Sequence, residues 1–306
     1  MSKIAAIDLG TNSIRLMLCE VVGGNFKRKT KEVITTRIGK DMGHSRLLTE
    51  KAMQKNIEAI KYFMKKAEDF GAERITIVAT SAIRDADNRK DFLEKVKNET
   101  GLIIKVLDGE EEAAIGMFGA SYGLRKDESL LVVDVGGGST ELVLGEGDNI
   151  LYSASINAGA VRMTEKFIKT NPIHQSDINA LEENLDLLFG DALSFLENKK
   201  IGRIVAIGGT ATTAASIFHQ MKVYDWEIVH NTILAREFLN KIFENLKAMT
   251  VKERYVVKGL QKERADIIPA GIFITKYIME KLNAEEIIIS ENDNLEGMVI
   301  KYSGVF

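Results

Sequence analysis

Two aspartates close short apolar runs. Asp8 follows Ile4, Ala5, Ala6 and Ile7, and Asp134 follows Leu130, Leu131, Val132 and Val133; a glycine comes two residues after each. Such a run reads as a strand buried on both faces, and aspartate is a poor strand former. A carboxylate there either closes the turn with a hydrogen bond or holds a hard cation. Magnesium takes one or two carboxylates and completes its shell with phosphate oxygens and water. Asp8 and Asp134 are therefore the candidate ligands for Mg2+ or another divalent cation.

The turns that follow suit phosphate. A tight turn after a buried strand aims successive N–H groups at one point, and small residues let an anion approach. Thr11, Asn12 and Ser13 form one such turn; Gly137, Gly138, Ser139 and Thr140 form a second. Gly208, Gly209 and Thr210 open a helix, whose N–H groups and dipole favour an anion. Each alone reads as a plain structural turn; three together favour phosphate binding. No GxxxxGK[ST] and no complete GxGxxG occurs, which weakens P-loop and Rossmann readings. Glu110, Glu111 and Glu112 open another helix. Acidic residues suit a helix N-terminus, and the sequence alone does not say which of the three, if any, does chemistry. His44, His174, His219 and His230 are scattered without metal-type spacing.

The elements that must position these residues alternate between strand and helix, the pattern of an α/β protein. Strands are expected at 4–7, 14–22, 25–38, 75–79 and 102–107. Helices are expected after Thr49, a plausible N-cap, up to Gly71, and at 88–100 and 110–121. The pattern then restarts with strands at 130–133, 140–145, 149–156, 204–207 and 285–289. Its helices fall at 159–169, 176–198, 211–221, 232–247, 264–281 and from 295 onward. The restart is also a sequence repeat. Residues 5–18, AAIDLGTNSIRLML, lie over residues 131–144, LVVDVGGGSTELVL, without a gap, matching Asp8 to Asp134, Gly10 to Gly136 and Ser13 to Ser139. One hairpin per domain implies two similar lobes facing a cleft, where small ligands usually bind. The charged segment Lys126, Asp127, Glu128 marks the expected boundary, giving domains 1–125 and 126–306, with the helix over 294–306 able to pack back on the first.

Composition narrows the function classes. The chain has 306 residues, 45% hydrophobic and 28% charged, with a net charge of −3. That is ample for a core without disulfides or a structural metal, and it argues against nucleic-acid binding through a basic surface. Cys19 is the single cysteine, which suits a reducing compartment. No apolar run approaches the roughly 18 residues of a membrane helix, and strand-like sequence begins at once, so a cytoplasmic location is expected. Residues 27–40 concentrate Lys27, Arg28, Lys29, Lys31, Arg37 and Lys40 against Glu32. They read either as a solvated hairpin or as a track for a polyanion.

Seven segments, in order, resemble the motifs of the Ppx/GppA family of exopolyphosphatases and guanosine pentaphosphate phosphatases: IDLGTNSIRL (7–16), TSAIRDA (80–86), GEEEAAIG (109–116), DVGGGSTELV (134–143), NAGAVRMTE (157–165), GGTATTAA (208–215) and ERADIIPAG (263–271). The resemblance implies duplicated ribonuclease-H-like lobes of the actin, sugar kinase and heat-shock chaperone superfamily around an interdomain cleft. It implies Mg2+-dependent removal of terminal phosphate from inorganic polyphosphate, or of the 5′-γ-phosphate from pppGpp, and a homodimer. By motif, Glu112 would be the base. Thr11, Asn12, Ser13 and Arg15 would surround the phosphate, joined by Ser81 and Arg84. Asp134, Gly136 to Thr140 and Glu141 would serve from the second loop. One segment departs from the family pattern: residues 290–297 read SENDNLEG, without the usual arginine and first glycine. The rival readings are a small-molecule kinase of the same superfamily, for which no hydroxyl-activating aspartate motif is seen, and a non-enzymatic nucleotide-binding protein.

Overall fold

A computed structural model describes residues 1–40, 42, 45–124, 128–147 and 149–306. His44, Asp41, Arg125 and the Lys126–Asp127 part of the expected boundary lie outside the described residues. The chain forms two compact units, Met1–Gly119 with Asn294–Phe306, and Ala120–Asp293.

The first unit is built on β1 (Ser2–Leu9), β2 (Ile14–Val22), β3 (Asn25–Ile34), β4 (Arg74–Ala79) and β5 (Lys105–Val106). Their order is β3-β2-β1-β4-β5. β2 is antiparallel to β1 and β3, while β4 runs parallel to β1 and β5 parallel to β4. The helices are α1 (Glu50–Phe70), α2 (Ser81–Asp85), α3 (Arg89–Thr100) and α4 (Gly109–Ser121). Thr49 caps α1 by accepting from the Ala52 N–H, and Gly71 ends it at φ 75°, the left-handed conformation glycine adopts without a Cβ penalty. The all-apolar run of β1 is explained by cover on both faces. Ala5, Ile7 and Leu9 join Ile57, Ile60 and Phe63 of α1. Ile4 and Ala6 join Leu295, Met298 and Val299 of the C-terminal helix Asn294–Tyr302.

The second unit contains β6 (Ser129–Val135), β7 (Thr140–Glu146), β8 (Asn149–Ile156), β9 (Arg203–Ile207), β10 (Thr232–Ala235) and β11 (Glu286–Ile289), in the order β10-β11-β9-β6-β7-β8. Read from β8 to β11, this repeats the first sheet strand for strand and direction for direction, with β10 added antiparallel at the far edge. The two units are thus ribonuclease-H-like duplicates. The helices here are α5 (Ala160–Phe167), α6 (Gln175–Glu197), α7 (Gly208–Phe218), α8 (Trp226–Val229), α9 (Arg236–Lys247), α10 (Val251–Arg254) and α11 (Ile268–Lys281), with the C-terminal helix as α12.

Three expectations change. The helix expected at 232–247 is strand β10 followed by α9. Thr232 and Leu234 are buried while Ile233 is exposed, a period-two pattern too short to stand out beside the strong helical period of α9. β3 stops at Ile34, because the following residues leave the sheet to bond the Thr11–Asn12 turn. The strand expected at 102–107 shrinks to the two residues of β5.

Candidate functional site

In the first unit the antiparallel register places Asp8 opposite Arg15. Arg15 donates from Nε at 3.0 Å and from Nη2 at 2.5 Å, both to Asp8 Oδ2. Asp8 Oδ1 is buried and has no hydrogen-bond partner. A buried, unpaired carboxylate oxygen is costly, so this atom is suited to a cation. Beyond it, the Gly10 N–H donates to Ser13 O at 3.0 Å and closes the turn. Residues after β3 strap the turn from outside: the Arg37 and Gly39 N–H groups donate to Asn12 O and Thr11 O at 2.8 and 3.0 Å. A Cβ on Gly39 would clash with the Thr11 side chain. The Thr11 and Ser81 hydroxyls are hydrogen-bonded at 2.8 Å, which joins the first turn to α2. Thr11, Asn12, Ser13 and Ser81 are all buried, and Asn12 Oδ1 has no partner.

The three glutamates separate cleanly. Glu110 is exposed. Glu111 serves the helix start, accepting from Lys105 Nζ at 2.6 Å while its own N–H donates to Asp108 Oδ1 at 2.8 Å. Glu112 is buried, 6% exposed, with Oε2 2.7 Å from Arg84 Nη1. Arg84 is itself held by Leu107 O at 3.2 Å. Burial is the largest influence on Glu112 and pushes its carboxyl up to about 7; Arg84 pulls it down, nearby Asp8 pushes it up, and a hydrogen bond from Thr80 pulls it down. One residue of an acidic triplet therefore combines burial, an arginine partner and a second carboxylate, the arrangement that tunes an acid to work near neutrality.

The second unit repeats the turn. The Gly136 N–H donates to Ser139 O at 3.0 Å, matching the Gly10 bond. Asp134 faces Glu141 across the register, as Asp8 faces Arg15. Glu141 is buried and accepts from Ser155 Oγ at 2.7 Å. The turn is clamped by the start of α5: the Ala160 and Val161 N–H groups donate to Gly136 O and Gly137 O at 2.8 Å, and Arg162 Nε donates to Gly138 O at 2.7 Å. Thr140 donates to Ala158 O, and Thr210 Oγ1 to Val135 O at 2.8 Å. Gly208 has φ 80°, and a Cβ there would clash with Asp134 Oδ1; one on Gly209 would clash with the Arg264 guanidinium. Gly208, Gly209 and Thr210 thus start α7 beside Asp134 and Arg264.

Sequence reasoning passed over Thr80 and the arginines Arg162 and Arg264; Arg37, in the Thr-Arg-Ile-Gly segment that resembles a family motif and is expected nearer the site than the lysines, does bond the first turn through its backbone. The signal for the two arginines was their place inside NAGAVRMTE and ERADIIPAG. Among the described residues no group of three His, Cys, Asp or Glu forms a metal cage. Asp8 offers one buried oxygen, which fits a cation whose other ligands are phosphate and water. Of the histidines, His219 bonds Thr232 at 2.9 Å and His230 accepts from the Glu291 N–H at 3.2 Å.

The cationic hairpin divides in two. Lys29 and Lys31 reach Glu296 of α12 at 2.7 and 2.9 Å, where that carboxylate is fully buried. Lys27 and Arg28 are exposed. Cys19, opposite Lys29 in the β2–β3 register, is buried, with its thiol pushed up to about 12 chiefly by burial. No helix is long and apolar enough to cross a membrane among the described residues.

Known proteins carry the same architecture. A solved Ppx/GppA family member from Aquifex aeolicus superposes with a TM-score of 0.83 at 31% identity, covering 99% of this chain and 97% of that one. Exopolyphosphatase 2 of Mycobacterium tuberculosis is 28% identical over 318 residues, 99% of each chain. A bifunctional 3-dehydroquinate synthase/phosphatase of Fusobacterium nucleatum is 33% identical over 309 residues; the match takes in 97% of this chain and about half of that protein, 46%. The profile of the Ppx/GppA phosphatase family matches residues 18–304. With duplicated lobes, paired turns and a match running through almost the whole sequence, the chain belongs to the Ppx/GppA phosphatase family.

Proposed function

We propose that the protein hydrolyses terminal phosphoanhydride bonds, releasing orthophosphate from inorganic polyphosphate, with pppGpp as the alternative substrate. Glu112 carries this reading. Cleavage by water needs a held phosphate, charge neutralisation and an oriented nucleophile. A carboxyl near 7 is half ionised at neutral pH and can take a proton from water. Arg84, bonded to that carboxylate, would share its charge with a transferring phosphoryl group. The Thr11–Ser13 turn and Ser81 supply donors to phosphate oxygens. In the second unit the Gly136–Thr140 turn and the start of α7 supply an equivalent cradle, with Glu141 beside Asp134 as a further carboxylate.

Asp8, through its unpaired Oδ1, and Asp134 are the residues that would hold Mg2+. When bound, the ion supplies charge neutralisation at phosphate oxygens. A cytoplasmic location and a homodimer complete the proposal. Polyphosphate is preferred over pppGpp because the chain aligns with nearly all of an exopolyphosphatase. The test is phosphate release from polyphosphate of defined lengths, pppGpp and ATP with Mg2+, beside a sugar panel for phosphoryl transfer. Release from polyphosphate without transfer is expected. Transfer to a sugar at the expense of ATP, with no release from polyphosphate, would replace the proposal with a kinase.

A further inference from the structure

A cavity of about 340 Å3 opens in the second unit between the C-terminal end of α7, α9 and the segment after α10. Ile217, in the last turn of α7, lines it. Gly208, at the other end of that helix, is about 14 Å away at 1.5 Å per residue, so the cavity is separate from the phosphate turns. Its volume falls within the range of small-molecule sites. Six apolar side chains form most of the lining, among them Phe238, Ile242 and Leu246.

The charged part of the lining has one sign. Lys241 and Lys258 stand at the cavity, both exposed, and neither has an ion-pair or hydrogen-bond partner for its side chain among the described residues. The Gln220 and Asn245 amides are the other polar groups, and among the described residues no Asp or Glu lines the cavity. Glu244, one turn beyond Lys241, is committed to Lys247 at 2.5 Å, and Glu237, one turn before it, lies outside the lining. A third cation is tied to the same floor. Arg254 is buried, donates from Nε to Leu246 O at 2.8 Å and from Nη1 to Ala265 O at 3.0 Å, and leaves Nη2 without a partner. Burial lowers its guanidinium to about 10 against the opposing influence of Asp266, so it stays charged at neutral pH.

We propose that this cavity binds a small amphipathic carboxylate. Its apolar body would lie on the Phe238, Ile242 and Leu246 floor. Its single anionic head would sit at Lys241 and Lys258 and accept from the Gln220 and Asn245 amides. Removing apolar surface from water supplies the affinity, and the uncompensated lysines supply the preference for an anion. The make-up of the rim favours a carboxylate over a phosphate. Phosphate recognition relies on arginine forks or helix-start N–H groups. No arginine lines this cavity among the described residues, and α7 contributes its C-terminal end, where the helix dipole opposes a dianion. The site uses none of the phosphate turns, so it stands or falls apart from the hydrolytic reading.

Isothermal titration calorimetry on the full chain with decanoate, kept below its micellar concentration, tests this. Saturable binding at one site per chain is expected. Decanol, which lacks the charge, should bind about tenfold more weakly, and Lys241→Gln with Lys258→Gln should lose decanoate affinity by about the same factor, the worth of two exposed charge contacts. Asn245→Trp, at an exposed position of α9, should fill the cavity mouth and abolish saturable binding while circular dichroism matches the wild type. Lys51→Gln with Lys90→Gln, an equal charge change at exposed positions of the first unit, should leave affinity unchanged. Absence of saturable binding overturns the inference, as does binding that the Lys241, Lys258 variant leaves intact or that the Lys51, Lys90 variant weakens equally. Decyl phosphate binding more tightly than decanoate would overturn the choice of head group.

Discussion

Arg84 Nη1 lies 2.7 Å from Glu112 Oε2, yet the glutamate is pushed up to about 7 instead of being held down. An arginine beside a carboxylate normally lowers its pKa. Here burial outweighs the ion pair, and Asp8 adds to it. The pair is thus a carboxyl poised between its two forms with a cation in contact, so its behaviour is readable through pH.

The base form of Glu112 is the ionised one. kcat/KM should rise with pH through about 7 as a single proton leaves. Arg84→Met removes the main influence that lowers the carboxyl, so the limb should move to higher pH while the plateau falls. A limb that keeps its position in Arg84→Met would show that Glu112 is not the group being titrated.

Replacing Glu112 by Gln should cost about 10²–10⁴-fold in turnover, the usual worth of a general base. Glu110→Gln and Glu111→Gln should stay near wild type, since an exposed residue and a helix-start contact are all they lose. Equal losses at all three positions would remove Glu112 from its role.

The same group sets a stability trend. Its folded pKa lies above the unfolded value of 4.5, so its contribution is fully present below pH 4.5 and is lost as pH rises through about 7. The lost amount is roughly 3 kcal/mol by linkage. Between pH 5 and 8 the wild-type Tm should therefore fall relative to that of Glu112→Gln, which cannot ionise. Parallel melting curves for the two proteins would contradict the burial argument.

Much of this was legible in sequence because it rests on local chemistry. The Asp-x-Gly-x-x-Ser repeat predicted two matching turns, and the Gly10 and Gly136 bonds to Ser13 and Ser139 have the same length. Thr49 and Gly71 cap α1 as their residue types demand. What was hidden depends on contacts distant in sequence. Residue chemistry alone does not distinguish Glu112 from Glu110, and only the resemblance to a family motif pointed to it; burial and Arg84, 28 residues away, are what set it apart physically. Thr80 and Arg264 likewise have roles set by what folds against them, and β10 was masked by the helix it precedes.

Metal dependence can be separated from folding. Asp8→Asn keeps the shape of the side chain and removes the charge that Arg15 pairs with and that would bind a hard cation. The Mg2+ concentration for half-maximal activity should rise, and so should the concentration needed to protect the fold against heat. Unchanged values in both measurements would place Asp8 away from any ion.

The six cations of residues 27–40 are not one surface. Lys29 and Lys31 are committed to Glu296, whose carboxylate is buried; Lys27 and Arg28 project outward. Removing one side of a buried charge pair is strongly destabilising, about 3–5 kcal/mol, because the partner is left uncompensated. The lysines are partly exposed, with side chains at 16% and 20%, which reduces that figure. Lys29→Met with Lys31→Met should therefore lower Tm by several degrees and loosen α12, with little effect on KM beyond what partial unfolding explains. Lys27→Ala with Arg28→Ala should leave Tm unchanged. If these two guide a polyanion, that second variant should raise KM for long polyphosphate more than for triphosphate, with kcat intact, since contacts remote from the reacting phosphate add uniform binding. The difference should shrink as salt rises and screens exposed charge. Equal KM for long chains in wild type and the Lys27, Arg28 variant at low salt would leave the hairpin as a solvated face, with Lys29 and Lys31 as its structural half.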